Sequence, residues 1–408
     1  MVDFLPLQAW HPRPDMAGQV ASPPYDVVDD DQARSIIDAR PHSFLRVVKA
    51  EAELGGDGAA AHQQAGRLAR RNLERLVNDG LLVRHPQTTF FVYRMSGDGR
   101  RQTGLAGLAS CRDYQQGLVM RHEQTRADKA AGRVAHIEAC GAHTGPVLLA
   151  CRPGSGLPKL LREHNRGQPL LAVGDEAGVV HELWPLEPEA VPEITAWFAG
   201  QQRLLIADGH HRAHAAWQVW SRLAGRDEVL RQRAGGFLAV VLPGEEMLLQ
   251  GYHRLVRLPA GEQPAVHMAA LLERLGPRLE RVAPAARPRP GRPLLVWQRQ
   301  CWRLALPEPG PGGDASDASL LQRLVLEPDF AIADARHDPR LSFLGGPQAP
   351  AEIRRRCGKD EGLVGFVLHP PALEQVFTVA AGGGVMPPKS TWFEPKLRSG
   401  LLVHRFRE

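Results

Sequence analysis

An apolar run that stops at an acid, a glycine, two histidines and an arginine constrains this chain more than any other stretch. Residues 205–212 read Leu-Ile-Ala-Asp-Gly-His-His-Arg. Beyond them Ala213, Ala216, Trp217, Trp220, Leu223 and Ala224 recur at helical spacing, and Gly225 closes the pattern. The spacing predicts a strand, a tight turn and a helix, with the charged cluster at the turn. A helix start directs its first N–H groups and the positive end of its dipole outward. Gly209 would let an anion approach them, and His210, His211 and Arg212 can add donors. The same pattern also suits an ordinary strand-to-helix turn whose histidines only hydrogen-bond, so both readings stand. It has neither the longer glycine pattern of a dinucleotide fold nor the lysine of a phosphate-binding loop.

The 408 residues can bury a large core, in two or three domains. No long uninterrupted apolar stretch resembles a membrane span, and the first residues lack a basic-then-apolar signal, so a cytoplasmic, non-membrane protein is expected. The formal charge of +5 is scattered, with only a short run at Arg354, Arg355 and Arg356. That favours anionic ligands weakly and gives no reason to expect nucleic acid. Lysine occurs six times, which makes the closeness of Lys389 and Lys396 notable. Cys111, Cys140, Cys151, Cys301 and Cys357 form no Cys-x-x-Cys pair, which argues against a zinc or disulfide framework.

Turn signals and periodicity organise the rest. Asp29 or Asp30 should cap a short helix carrying Ile36 and Ile37 and ending by Pro41. Phe44 to Val48 reads as a strand, residues 57–79 as a long helix stopped by Gly80, and 88–94 and 104–109 as strands. Residues 121–145 are unusually polar, and fit either a mobile loop and helix over an active site or a solvent-facing helix. Strands at 146–150 and 179–184, a helix near 189–198, and strands at 237–242 and 248–255 follow. Residues 258–292 carry one helical pattern, 294–297 and 301–306 a hairpin pair, and 310–317 a flexible loop. Helical 318–326, strand 364–368 and helical 371–380 precede a polar tail. The expectation is a mixed α/β, or α+β, fold with a boundary near 256: a region 1–255 holding the turn, and an α+β region 256–408 whose tail returns to the site.

Several short motifs go further. Pro-Pro-Tyr-Asp-Val at 23–27, Ser-Phe-Leu-Arg-Val at 43–47, His-Glu-x-Thr at 122–125, Asp-Gly-His-His-Arg at 208–212, His253-Arg254, and Met-Pro-Pro-Lys-Ser-Thr-x-Phe-x-Pro-Lys at 386–396 occur in this order. Together they resemble the bacterial and archaeal family of unknown function numbered one thousand and fifteen, over essentially the full chain. More distantly, the Gly-His-His-Arg turn is similar to that of the partition-protein and sulfiredoxin nucleotide-binding superfamily, which includes free-serine kinases.

That second resemblance implies a nucleotide-binding core in which Gly209, His210, His211 and Arg212 hold phosphates. It also implies an N-terminal acid that prepares the substrate hydroxyl. Asp26 is the first candidate for that acid, with Glu51 and Glu123 as rivals. Sulfiredoxin chemistry would need a cysteine inside the turn, and there is none. The motifs add Lys389, Ser390, Thr391 and Lys396 as further anion donors, and Tyr25, Arg46, His122 and His253 as substrate contacts. Asp26, Asp208 or Glu123 could touch the acceptor or Mg²⁺, with Asp208 as the metal ligand. The leading expectation is phosphoryl transfer from ATP or ADP, with Mg²⁺, to a small hydroxylated metabolite such as a serine-like acceptor. The alternative is a nucleotide or metabolite sensor without catalysis. The partner is then a small molecule, with neither DNA nor membrane; no helix-turn-helix is evident.

Overall fold

The computed structural model describes the chain except residues 55–58, 126, 166, 260, 309–315 and 408, together with the side chains of 59 and 127–129. Most of the sequence-predicted loop at 310–317, and the side chains of Asp128 and Lys129, therefore lie outside the described residues. The chain forms two compact units. The first comprises Met1–Arg121, Thr125–Met247 and Pro395–Glu408; the second comprises His122–Gln124 and Leu248–Glu394. The fold is mixed α/β.

The first unit is built on a nine-stranded mixed sheet among the described residues. Its path runs Val119–Met120, Leu204–Asp208, Val147–Cys151, Gly236–Pro243, Arg100–Ser110, Phe91–Gly97, Val180–Pro185, Leu171–Gly174, with Phe4–Leu5 added beside Arg100–Ser110. Val147–Cys151 and Gly236–Pro243 are buried along their whole length and pair in parallel, as near-continuous apolar runs do when both faces are covered. The remaining long pairings are antiparallel.

Helix Asp30–Ala39 starts with a full capping box. The Asp29 side chain accepts from the Gln32 N–H, and the Gln32 side chain accepts from the Asp29 N–H. Helix Ala59–Asn78 packs on helix Ala127–Cys140, which packs in turn on helix His210–Arg222. Within 121–145, helix Ala127–Cys140 is accordingly packed between two helices and does not stand clear in solvent. Ala130, Val134, Ile137 and Cys140 are buried in the core.

Phe44 to Val48 is not a strand: Leu45–Val48 is a short helix. Leu45, Val47 and Val48 are all buried in a cluster with Ala33, Ile37, Ala69 and Leu73 from the flanking helices. A run this short, buried at all but Arg46, has no period to read, and packing overrode its β-branched preference.

The second unit has a six-stranded antiparallel sheet among the described residues, ordered Leu279–Arg281, Gln300–Leu304, Leu294–Trp297, Leu363–Val367, His253–Arg257, Leu341–Leu344. The strand expected over 248–255 divides at Tyr252. Leu248–Gly251 pairs instead with Thr391–Glu394, while His253–Arg257 joins the larger sheet. The helical stretch near 318–326 is Asp317–Leu321 followed by a π-helical turn, Gln322–Leu326.

The expected polar tail is largely buried. Leu397, Leu401, Leu402, Val403 and Phe406 are core residues of the first unit. Ser399 pairs with Ser22 and Val403 with Trp10, and His404–Arg405 pairs with Ala142–His143.

Candidate functional site

Strand Leu204–Asp208 is buried until its last residue, and its register against Val147–Cys151 shifts between Ile206 and Asp208. The chain then turns at Gly209, the N-cap of helix His210–Arg222, with φ 90° and ψ 29°. Only glycine takes that backbone cheaply. A Cβ there would also lie 3.1–3.3 Å from Nε, Cζ and Nη2 of Arg212, so the bare Cα is what the guanidinium packs against.

Arg212 organises the site. Its Nη1 donates to the Pro146 carbonyl, its Nη2 donates to Asp208 Oδ2 at 3.2 Å, and Asp26 Oδ2 lies 3.9 Å from the same Nη2. Its Nε is buried and has no hydrogen-bond partner among the described residues. Burial alone would pull the guanidinium pKa down, but Asp26 first and Asp208 next outweigh it, and the net direction is upward. Lys396 reaches the other oxygen of the same carboxylate, with Nζ 3.3 Å from Asp208 Oδ1. Asp208 is thus bridged by two cations whose side chains are only 11% and 14% exposed.

Two segments distant in sequence carry Asp26 and Lys396 to this turn. The Ser22 N–H donates to the Ser399 carbonyl at 3.0 Å, and the Ser399 N–H returns to the Ser22 carbonyl at 2.9 Å. Arg398 anchors the same segment. Its N–H donates to Tyr93 Oη at 3.2 Å and its guanidinium to Glu176 at 3.1 Å.

Tyr25 lies under the guanidinium of Arg133, 4.1 Å from the ring centroid, and Arg133 is fixed by the Val48 carbonyl and Glu51. Burial, reinforced by the Asp26 carboxylate, pushes the Tyr25 phenol up to about 12, so it stays protonated and a donor. Behind Arg212 a cavity of about 30 Å³ is lined by Tyr25, Arg133, His136, Thr144, Ser399 and other residues. It has room for a water or two and none for a nucleotide.

The structure sorts the sequence candidates into two groups. Tyr25, Asp26, Asp208, Gly209, His210, His211, Arg212 and Lys396 lie in the first unit around this turn. Arg46 lies in the same unit but is engaged by Glu53 at 2.7 Å, and lines a different shallow cleft with Asn72, Arg75 and Asp79.

His122, Glu123, His253, Lys389, Ser390 and Thr391 belong to the second unit, where they form a knot. His122 Nε2 pairs with Thr391 Oγ1 at 2.9 Å, and the Lys389 N–H donates to Glu123 at 2.5 Å. Ser390 Oγ donates to the Pro387 carbonyl at 2.7 Å. Arg254, 2% exposed, donates to the carbonyls of Tyr252, Pro388 and Lys389. His253 Nδ1 accepts the Leu368 N–H at 3.1 Å, and burial draws its pKa down to about 4.

Sequence reasoning missed the Pro146 carbonyl, the stacking of Arg133 on Tyr25, and Arg398. None has a local signature, because each works through a partner far along the chain.

Among the described residues no group of three or more His, Cys, Asp or Glu is arranged to hold a metal. Asp208, expected as a Mg²⁺ ligand, presents its two oxygens to Arg212 and Lys396, so the residues as arranged do not form a metal cage. No helix among the described residues is long and apolar enough to cross a membrane.

Several solved structures resemble the chain at low identity. One is SbnI with a C-terminal truncation, from Staphylococcus aureus: 11% identity, 74% of this chain and 87% of that one, TM-score 0.38. Another is a free serine kinase in complex with AMP: 17% identity, 69% and 88% covered, TM-score 0.36. A third is a conserved hypothetical protein from Pyrococcus furiosus: 16% identity, 69% and 92% covered, TM-score 0.34. No curated protein matches. The model of a family described as "Protein of unknown function (DUF1015)" matches residues 4–324, so the chain belongs to that family.

Proposed function

We infer that the first unit binds a nucleoside polyphosphate at the Asp208–Arg212 turn and transfers its terminal phosphoryl group to a small hydroxylated metabolite of the serine class. The observation that carries this reading is the convergence of Arg212 and Lys396 on a glycine-fronted helix start, with Asp26 3.9 Å from Arg212. The helix start, the arginine fork and the lysine suit phosphate oxygens. The likeness of the Gly-His-His-Arg turn to that of nucleotide-binding partition and sulfiredoxin proteins supports the same assignment.

In the transfer, the acceptor hydroxyl oxygen forms a bond to the terminal phosphorus. The bond from that phosphorus to the nucleotide breaks, with its electron pair going to the departing phosphate oxygen. The hydroxyl proton passes to a carboxylate, for which Asp26, 37% exposed, is the first choice. Mg²⁺ belongs to this reading as a companion of the nucleotide's phosphates, which need only one or two protein carboxylates. The two rival acids have other partners here: Glu51 is held by Arg133, and Glu123 by the Lys389 N–H.

A metabolite screen with ATP or ADP and Mg²⁺, read by mass detection of phosphorylated products, tests the assignment. An acceptor should appear whose turnover falls at least about a hundredfold in Asp26→Asn, the usual scale for a positioned general base. Turnover that survives Asp26→Asn would move the base to another residue.

The pairing of Asp208 with two cations also favours a second reading, a nucleotide sensor without catalysis. Tight ADP binding with no product from any acceptor would select it.

A further inference from the structure

We propose that Asp208 is a built-in competitor for the phosphate. It occupies the site's two cations until a polyphosphate displaces it, so that only a multivalent anion opens the site. The inference rests on the phosphate-binding reading above and assigns Asp208 a role within it.

The geometry of Arg212 carries the argument. One prong, Nη1, is spent on the Pro146 carbonyl and fixes the plane of the guanidinium. The opposite edge offers Nε and Nη2, the pair that grips a carboxylate or phosphate in two parallel hydrogen bonds. Asp208 takes only Nη2, at 3.2 Å, and leaves Nε buried without a partner among the described residues. A buried donor left unsatisfied is costly, so that edge favours an anion able to fill it. Asp208 cannot turn to fill both positions without releasing Lys396, which holds its other oxygen at 3.3 Å. The carboxylate is therefore shared between two cations and leaves Arg212 Nε unfilled.

A phosphate at the Nε–Nη2 edge would meet both donors at once, and a neighbouring phosphate could take Lys396. A single carboxylate or chloride seated on the Nε–Nη2 edge would leave Lys396 without the anion that Asp208 gives it now. The predicted ligand class is thus a di- or triphosphate.

The test measures ADP and inorganic pyrophosphate binding by calorimetry on the full-length chain. Wild type, Asp208→Asn, Lys396→Met and Arg212→Lys are compared, with melting curves confirming that each folds. A competitor and a ligand predict opposite signs. Removing the competing charge in Asp208→Asn should tighten ADP about tenfold, whereas Lys396→Met should weaken it about tenfold. Arg212→Lys, which keeps charge but loses the fork, should weaken it further. Pyrophosphate should follow the same order if phosphates alone are recognised. A nucleoside-dependent site would show the order for ADP and not for pyrophosphate.

Equal or weaker binding of ADP to Asp208→Asn, with wild type binding normally, overturns the competitor role and leaves the phosphate-binding reading standing. Binding to neither wild type nor Asp208→Asn, for either probe, overturns both. If Asp208→Asn does not fold, Lys396→Met decides the matter: unchanged ADP affinity there overturns the proposal.

Discussion

Two arginines, each inside one of the chain's most recognisable motifs, have opposite fates. Arg254 in the second unit is buried among backbone carbonyls, with Tyr252, Pro388 and Lys389 as acceptors and the Phe343 ring 4.7 Å from its guanidinium carbon. Burial draws its pKa down to about 10. Arg212 in the first unit is nearly as buried, but it faces the carboxylates of Asp208 and Asp26, and its pKa moves up. It also retains a donor with no partner among the described residues. The first arginine has its fork consumed by the fold and acts as a brace. The second holds its fork against two carboxylates whose side chains are 27% and 37% exposed. Two motifs of equal prominence in the sequence therefore separate into a brace and a candidate site by what their polar atoms already touch.

The strongest way to break this comparison is Arg254→Ala. It leaves three part-buried carbonyls without the arginine that joins them, and a loss of about 3 kcal/mol is expected, the upper end for a charged hydrogen-bond donor removed from its acceptors. Urea unfolding measures it. A loss under about 1 kcal/mol would mean that Arg254 braces nothing.

Acid should expose the next largest effect. His253 is depressed to about 4 against an unfolded value near 6.5. Between those values the unfolded chain binds the extra proton and the folded chain does not. Stability is thus full above pH 6.5 and is lost as pH falls toward 4, by on the order of 2–3 kcal/mol. Denaturation midpoints from pH 7 to pH 4.5 read this out, and His253→Asn should flatten the slope. His143 and His404 in the first unit are shifted the same way by burial and add to the trend.

Arg212→Ala sharpens the other side. It should cost less stability than Arg254→Ala, on the order of 1–2 kcal/mol, because Asp208 keeps Lys396 and both carboxylates, 27% and 37% exposed, still reach water. It should weaken ADP binding at least about tenfold, roughly 1.4 kcal/mol. A large stability loss with intact ADP affinity would put Arg212 in the same class as Arg254.

Glu123→Ala should produce the smallest change, about 1 kcal/mol of stability from the lost acceptor of the Lys389 N–H, with ADP affinity unmoved. Reduced ADP affinity in that variant would assign the knot of the second unit a part in the nucleotide site.

What could be read from the sequence is what is local. The 205–224 unit declared itself through a helical period and a glycine, and the helix cap through an acid at Asp29 or Asp30, of which the structure uses Asp29. Two of the elements misread lack such signals. Leu45–Val48 is buried at every residue but Arg46, and the terminal segment is polar in composition yet buried through Leu397, Leu401, Leu402, Val403 and Phe406. The site was legible in part. The turn residues stand together in the sequence, whereas Asp26 and Lys396 reach Arg212 and Asp208 through pairings that no spacing records. Arg46 is engaged by Glu53 for the same reason: a motif gives the residue's type but not its neighbour.

The bridge from Lys396 to Asp208 spans 188 residues, and nearly all of the second unit is encoded between them. A ribosome adding roughly 5–20 residues per second needs roughly 10–40 seconds to cover that interval. For that time the emerging chain carries the glycine turn and Asp208 without the lysine that shares the carboxylate. The pairing of Asp208 with Lys396 is thus completed only after nearly all of the second unit has been made, and a chain truncated before residue 396 would carry the motif without its lysine.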